Sequence, residues 1–186
     1  MVANLGAPTQ QGNGGDSLPA VKWLKVGEEF IGRVVDASWD VPVTDIETGQ
    51  PALNQRGNVK TQHVVTLQVM AGTTASVGTE KRPAEVGELV TLWVAGADKY
   101  SSDNPQCFSE ALDGHGGTLG VGDVVKVVFA STKPSKWPQP LKVKTFQMRK
   151  PKPDETEAVA KAQAAYDERQ AAKATALGGP ESVDDF

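Results

Sequence analysis

Positive charge and aromatic side chains are concentrated between Asp123 and Lys150. No acidic residue follows Asp123 in this stretch, although the whole chain carries a net charge of −4. Trp137 and Phe146 lie among the cations, which are Lys126, Lys133, Lys136, Lys142, Lys144, Arg149 and Lys150. Lysine and arginine neutralise phosphates, and aromatic rings stack on bases. The stretch therefore holds the residue types that bind single-stranded nucleic acid with little sequence preference.

Two predicted strands joined by a loop would position these side chains. Apolar residues alternate with other residues over 124–130 and again over 141–148, as expected of half-buried strands. In the second strand we expect Leu141, Val143 and Thr145 to face the core, and Lys142, Lys144 and Phe146 to face outward. The loop 133–140 contains three prolines, which favours an exposed, semi-rigid connection that carries Trp137. The simpler interpretation is a solvated hairpin whose lysines protect its edge from pairing.

Aromatic residues and cations elsewhere in the chain extend the candidate site. Trp93 is out of phase with its apolar neighbours Leu92 and Val94, so we expect it to face away from the core. Trp23 and Phe30 are assigned to the core. The predicted nucleic-acid contacts are Arg33, Trp39, Lys60, Trp93, Tyr100, Lys126, Lys133, Lys136, Trp137, Lys142, Lys144, Phe146 and Arg149.

Charge is unevenly distributed along the 186 residues. Residues 18–150 contain 15 Lys and Arg against 14 Asp and Glu, whereas residues 151–186 contain 4 against 8. A nearly neutral domain with a basic region thus precedes an acidic tail. The single cysteine, Cys107, excludes an intramolecular disulfide and fits a reducing cytosol. No apolar run is long enough to cross a bilayer, so we expect a cytoplasmic protein with no membrane partner.

A small repeated device predicts where strands begin. Val-Gly-Glu or Val-Gly-Asp occurs at 26–28, 86–88 and 121–123, and a strand-like run follows each time. Those runs are 29–39, 89–94 and 124–130, and two more are predicted at 61–70 and 141–148. A short helix, with Asn104 as N-cap and Pro105 at its first position, falls between the third and fourth of the five strands. Mainly β structure in a five-stranded Greek-key barrel, the OB fold, is the predicted class.

The two ends of the chain lie outside this predicted domain of residues 18–150. Residues 1–17 are rich in Gly, Gln and Asn, and we expect a disordered arm. In residues 151–186, Asp154 and Glu157 resemble a capping box at the start of an alanine-rich segment that reaches Leu177, which would form a helix or a partly helical linker. An acidic tip closes the chain.

Catalytic and metal chemistry find little support in the sequence. His63, His115 and Cys107 lie far apart, without the paired spacing of a zinc site. His63 is interpreted as a surface side chain on a strand and His115 as a loop residue. The chain has neither a serine elbow nor a Walker-type lysine loop. We therefore expect a binding protein that is not an enzyme and needs no metal or cofactor.

An ordered series of short matches resembles a known family. The matches are Asp45-x-x-Thr48-Gly49-x-Pro51, Gln62-x-Val64-Val65-Thr66-Leu67-Gln68, Gly122-Asp123, and Pro134-Ser135-Lys136 through Pro140. Together they resemble single-stranded DNA-binding proteins encoded by bacteriophages of actinobacteria, over roughly residues 20–150. The resemblance implies an OB-fold protein of the host cytoplasm. It would coat and protect single-stranded DNA during phage replication or recombination. The sequence leaves open whether the chain forms a homo-oligomer.

The last three residues, Asp184, Asp185 and Phe186, are similar to the acidic tip of bacterial single-stranded DNA-binding proteins. That resemblance implies a contact with replication, recombination or repair proteins, in which the ring enters an apolar pocket and the aspartates meet a basic rim. Here Asp185 leads directly into Phe186, without the apolar and proline spacer of the bacterial tip.

A second class of function remains open. A small β-rich phage structural or scaffold protein, which binds no nucleic acid, would use its lysines for solubility and its tail to dock on another subunit. The two classes differ in one simple property, since only the first predicts salt-dependent retention of nucleic acid.

Overall fold

A computed structural model of the chain describes residues 17–100, 104–136 and 138–177. The strands of this part are β1 (Val21–Lys22), β2 (Glu29–Pro42), β3 (Thr61–Val69), β4 (Ser76–Val77), β5 (Arg82–Pro83), β6 (Leu89–Val94), β7 (Val124–Lys133) and β8 (Leu141–Arg149). Its α-helices are α1 (Phe108–Gly114) and α2 (Thr156–Leu177), and single 3-10 turns occupy Gly96–Asp98 and Pro153–Glu155. No helix in the described part is long and apolar enough to cross a membrane.

The strands form two antiparallel sheets. The larger sheet has the order β6-β3-β2-β7-β8, and the smaller one has the order β1-β4-β5. The mainly β prediction is confirmed, and the five long strands correspond to the five predicted ones. In the described part no strand pairing joins the edge strands β6 and β8, so the expected barrel is not closed by a ladder. The three short strands were missed because two residues show no periodicity.

The core lies between one face of the larger sheet, the smaller sheet and α1. Alternate residues of the long strands fill it, among them Val65, Leu67, Val90 and Val127. Gly32 on β2 sits under the ring of Phe30. A Cβ at this position would lie 2.7 Å from that ring and 2.9 Å from Leu67. The close approach of β2 to the core therefore requires glycine here.

In β8, the second strand of the hairpin β7–β8, the side chains that face the core are the ones predicted to face outward. Phe146 pairs with Val127 and Lys144 with Phe129, so all four side chains lie on the core side. The ring of Phe146 is only 3% exposed and packs edge-on against Phe108, with ring centres 5.5 Å apart. Leu141 is exposed instead. Lys142 and Lys144 thus point to the core side of β8, near the N-terminal end of the strand, where the neighbouring Leu141 is exposed.

Helix α1 begins later than predicted, at Phe108 with Cys107 as N-cap. Asn104 does not cap it. Its side-chain oxygen accepts from the Gln106 amide, and its Nδ2 donates to the Lys144 carbonyl at 2.8 Å. The side chain expected to start the helix therefore ties the preceding segment to the edge of β8.

Helix α2 packs across the face of the larger sheet that is turned away from the core. Its Val159 packs against the turn before β7, since a Cβ added to Gly122 would lie 2.9 Å from the Val159 side chain. Further along the helix, the Tyr166 hydroxyl donates to the Asp36 carboxylate at 2.9 Å. The carboxylate of Glu155 accepts from the Lys152 amide at the N-terminus, in place of the predicted pair Asp154 and Glu157. The predicted arm at 1–17 lies outside the described residues except for its last one, and the acidic tip lies wholly outside them.

We expect the substitution Gly32→Ala to destabilise the fold by about 1–3 kcal/mol, because the added methyl group overpacks against Phe30 and the Leu67 side chain. Urea unfolding measures this change. Gly114→Ala is the matched control, since a Cβ there meets nothing within 4 Å and Gly114 ends α1. The control should be neutral or slightly stabilising. Equal effects of the two substitutions would contradict the close approach at Gly32.

Candidate nucleic-acid interface

Three exposed aromatic rings surround one end of the larger sheet. Trp39, Trp93 and Tyr100 are 39%, 47% and 60% exposed. Trp39 lies near the C-terminal end of β2, Trp93 near that of β6, and Tyr100 follows the 3-10 turn after β6. All three were predicted site residues, and the fold brings them to the same region of the molecule.

Trp93 lies on the outer face of the sheet, as its phase predicted. It pairs with Val64 on β3, and Val64 in turn pairs with Ser38 on β2. Its neighbours Leu92 and Val94 are buried in the core. The exposed indole therefore stands beside a half-buried valine and a serine, on a surface that a flat base could cover.

Trp39 lies on the opposite side of the sheet, at the edge of the core. Its ring meets His63 edge-on at 4.9 Å between centres and lies 6.0 Å from Phe108. The surface interpretation of His63 is wrong, because the side chain is buried beneath this ring. Burial is the main cause that lowers the pKa of His63, and the nearby Lys99 lowers it further. The imidazole is therefore neutral at pH 7 and forms an uncharged support for Trp39.

A polar cluster of Asp40, His63 and Lys99, called here the Asp40 knot, links Trp39 to Tyr100. Asp40 has a positive φ of 49°, and its amide donates to His63 Nδ1 at 3.2 Å. Its carboxylate accepts from Lys99 Nζ at 2.5 Å, an ion pair that lowers the pKa of Asp40. Lys99 is buried, and its Nζ lies 5.0 Å from the centre of the Tyr100 ring. Sequence reasoning missed this knot because its members lie on three separate segments.

A cleft of about 520 Å³ lies beside this region, between the 3-10 turn after β6 and the start of β8. The predicted site residues Lys142 and Lys144 line it together with Asp98. Lys144 is ion-paired with Asp98, and Lys142 donates to the Trp23 carbonyl. Burial raises the pKa of the Asp98 carboxyl more than the pairing with Lys144 lowers it. Sequence reasoning gave Asp98 no role.

Two loops carry the remaining exposed cations of this region. Lys60 ends the connection 43–60, and Lys133 and Lys136 lie at the loop between β7 and β8. None of these three lysines has an acidic partner within the described residues. Trp137, predicted to stack on bases from this loop, is outside the part of the chain that the structure describes.

The connection 43–60 is a folded loop with its own backbone ladder. Isolated bridges join Thr44 to Pro51 and Leu53 to Val59. The Asp45 carboxylate accepts from the Thr48 amide at 2.9 Å, and these bonds lower the pKa of Asp45. The loop thus holds Lys60 on an ordered support next to the Asp40 knot.

Four predicted contacts do not join this region. Phe146 is in the core, and its ring is not available to a base. Lys126 pairs with Glu29 at 2.9 Å, and Arg149 makes two bonds of 2.7 Å to Glu155. Arg33 is buried with Gln68 at 3.4 Å and Glu155 at 3.8 Å. The two arginines anchor the start of α2, and the expectation that they lie exposed along a phosphate path is corrected.

The other histidine also serves the fold. His115 Nε2 lies 2.7 Å from the buried carboxylate of Asp123, which also accepts from Lys150 and from the Gly120 amide. Those bonds lower the pKa of Asp123 against the effect of burial. In the described residues no three His, Cys, Asp or Glu side chains form a potential metal site.

Comparison with known proteins gave no match to a family model, to a curated protein or to a solved structure.

The paired hydrogen bonds between Arg149 and Glu155, called here the Glu155 clamp, predict that the stability contributed by the start of α2 depends on pH. These two bonds hold the pKa of Glu155 at about 2, below its ordinary value of 4.5. A depressed pKa contributes stability that is present above the ordinary value and is lost as pH falls through the folded one. At pH 7 we expect Glu155→Gln to cost about 1.5–3 kcal/mol, and the difference from wild type should shrink between about pH 5 and pH 2.

Urea unfolding of both proteins across that pH range measures the difference. Glu157→Gln is the control, because Glu157 makes an exposed pair with Lys161 at 3.3 Å, and such pairs contribute little. A Glu155→Gln effect that stays constant down to about pH 2 would contradict the clamp.

Proposed function

We propose that this chain is an OB-fold single-stranded DNA-binding protein. Taking β2, β3, β6, β7 and β8 as strands one to five, the sheet order is three-two-one-four-five, and α1 falls between the third and fourth strands. This is the order of an OB barrel opened between its third and fifth strands. The segment that follows β6 lies along β8, where the Phe146 amide donates to the Gln106 carbonyl at 2.8 Å.

The position of the candidate interface agrees with the proposal. OB folds bind oligonucleotides on the face of strands two and three, and between the loops that follow strands one and four. In this chain those strands are β3 and β6, which carry Trp93. The two loops are 43–60 and 134–140, which carry or adjoin Lys60, Lys133 and Lys136.

The observation that carries the proposal is the set of exposed rings at Trp39, Trp93 and Tyr100. Each base stacked on an aromatic ring contributes about 1–3 kcal/mol, and every base offers such a face. Burying large rings is favourable, so three partly exposed ones at one end of the sheet, with Trp93 on its outer face and Trp39 at the edge of the core, indicate a binding path around that end. Stacking combined with unpaired lysines gives affinity for single strands without strong sequence preference.

The proposed role is to coat and protect single-stranded DNA in phage replication or recombination. Asp184, Asp185 and Phe186 would recruit partner proteins to the coated strand. They follow α2, whose start is anchored to the sheet by Glu155, so a partner on the tip need not cover the interface. The protein would need no cofactor and catalyse no reaction.

Alanine substitution of Trp39, Trp93 or Tyr100 should each weaken binding to labelled oligothymidine by roughly 5- to 150-fold. Fluorescence anisotropy at low and moderate salt measures the affinity, with duplex DNA as the comparison. Val86→Ala is the control, because Val86 is an exposed apolar side chain, 70% exposed, that precedes β6 at the other end of the strand. Wild-type protein that does not bind the single strand at low salt would overturn the proposed function.

The lysines predict the salt dependence of the same binding. If Lys60, Lys133, Lys136 and Lys142 each neutralise one phosphate, log affinity should fall with log salt at a slope of roughly −3. Replacing Lys133 and Lys136 with glutamine should make the slope shallower by about 1.4. Lys161→Gln on α2, far along the chain from both loops, should leave the slope unchanged. An unchanged slope in the double variant would remove the loop 134–140 from the interface.

The alternative of a β-rich phage structural or scaffold protein has one observation in its favour. Ile46, Leu53 and Val59 expose apolar surface on the loop 43–60, and Ile46 is 96% exposed. Large apolar side chains exposed on one loop favour a contact with another protein. Absence of salt-dependent DNA binding would favour this function.

A further inference from the structure

The cleft beside the aromatic rings is lined in part by an ion pair, that of Asp98 with Lys144. Gly96, Pro140, Leu141 and Lys142 also line it. Its volume of about 520 Å³ falls in the range of small-molecule sites, roughly 300–1,000 Å³. The cleft is therefore large enough for one nucleobase, with room for the sugar at its mouth.

The backbone at Gly96 leaves open space beside the cleft. Gly96 has a positive φ of 58°, and a Cβ at this position would meet nothing within 4 Å. Open space thus lies beside the glycine where a side chain would otherwise stand. Pro140 and Leu141 supply apolar atoms opposite, and Leu141 is partly exposed. A planar ring in the cleft would contact the apolar atoms of Pro140 and Leu141.

The ion pair is held in place from both sides. Asp98 donates its amide to the Ala95 carbonyl within the 3-10 turn. The Lys144 carbonyl accepts from Asn104 Nδ2 at 2.8 Å, which fixes that residue of β8. The side chains of Asp98 and Lys144 are 18% and 13% exposed, so both heads are mostly desolvated and still reachable from the cleft. A fixed carboxylate therefore stands next to a fixed ammonium group.

We propose that this cleft is a guanine-selective base pocket, an inference that rests on the proposed single-stranded DNA binding. The Watson–Crick edge of guanine presents the O6 acceptor next to the N1–H and N2–H donors. The carboxylate of Asp98 accepts from N1–H and N2–H, and the ammonium group of Lys144 donates to O6. These charge-assisted bonds are stronger than neutral ones.

The other bases match the pair less well. Adenine and cytosine each offer an amino group to Asp98 and a ring nitrogen to Lys144, but they lack the second donor for the carboxylate. Thymine has one N–H between two carbonyl oxygens, so one of its oxygens must face the carboxylate. An acceptor against a desolvated carboxylate is unfavourable. The selection thus depends on paired donors, which only guanine has on this edge.

The test uses labelled oligothymidine that carries one guanine, adenine or cytosine near its centre, measured by anisotropy with the wild-type protein. The guanine strand should bind at least about fivefold more tightly than the other strands. Hypoxanthine in place of guanine removes the N2 amino group and should lose most of that gain. The base 7-deazaguanine keeps the Watson–Crick edge and should retain it.

Two variants test the residues. Asp98→Asn should abolish the guanine preference, and so should Ala95→Leu, which narrows the cleft from an exposed lining position and leaves both charges of the ion pair in place. Asp113→Asn, at an exposed carboxyl of α1, is the matched control and should keep the preference. Oligothymidine affinity of all three variants reports whether the rest of the interface is intact.

The outcomes separate this pocket from the proposed function. Equal affinity for all substituted strands, or a preference lost with 7-deazaguanine but kept with hypoxanthine, would overturn the pocket and leave DNA binding standing. Failure of the wild-type protein to bind any strand would overturn the proposed function and the pocket with it.

Discussion

The central strand β2 constrains the whole structure, because both of its edges and both of its faces are occupied. It pairs with β3 along one edge and with β7 along the other, over Glu29–Pro42. One face packs into the core, and α2 covers part of the other. Irregularities in its pairing with β3, after Val34 and after Ser38, bend the strand as it leaves β7 behind. That bend carries Trp39 to the edge of the core and delivers Asp40 to the knot with Lys99.

Much of the fold could be predicted from the sequence, because its long strands follow period two and three of the five begin after glycine turns. The errors have physical causes. In β8 the lysines take the core-side phase, because the ladder with β7 shifts after Phe129 and places Phe146 opposite Val127. Composition alone gave the reverse phase, since it treated every lysine as outward. Asn104 is a good helix cap by type, yet it is bonded to Lys144 on a strand distant in sequence.

In the candidate site, too, some features follow from residues close in sequence, and others depend on contacts that form only on folding. Exposure of Trp93 followed from the phase of one strand, whereas the roles of the cations depend on acids from elsewhere in the chain. Glu155 binds Arg149, Asp98 binds Lys144 and Asp40 binds Lys99. Asp98 lies 46 residues before Lys144, and Glu155 lies just beyond the counted stretch, so a charge count over 123–150 overstated the cations free to meet phosphates. Lys133 and Lys136 have no acidic partner within the described residues, and they lie at the loop between β7 and β8. Binding residues are often found on such loops.

Helix α2 extends beyond the residues that pack it against the sheet. Its 22 residues span about 33 Å, and its packed positions lie in the first two-thirds, since residues 170–176 are all exposed. The last turns therefore lead the chain away from the sheet along a line that Glu155, Val159 and Tyr166 set together. If many copies coat a single strand, as the proposed function requires, these helices would repeat along it and would present whatever follows them as an evenly spaced array.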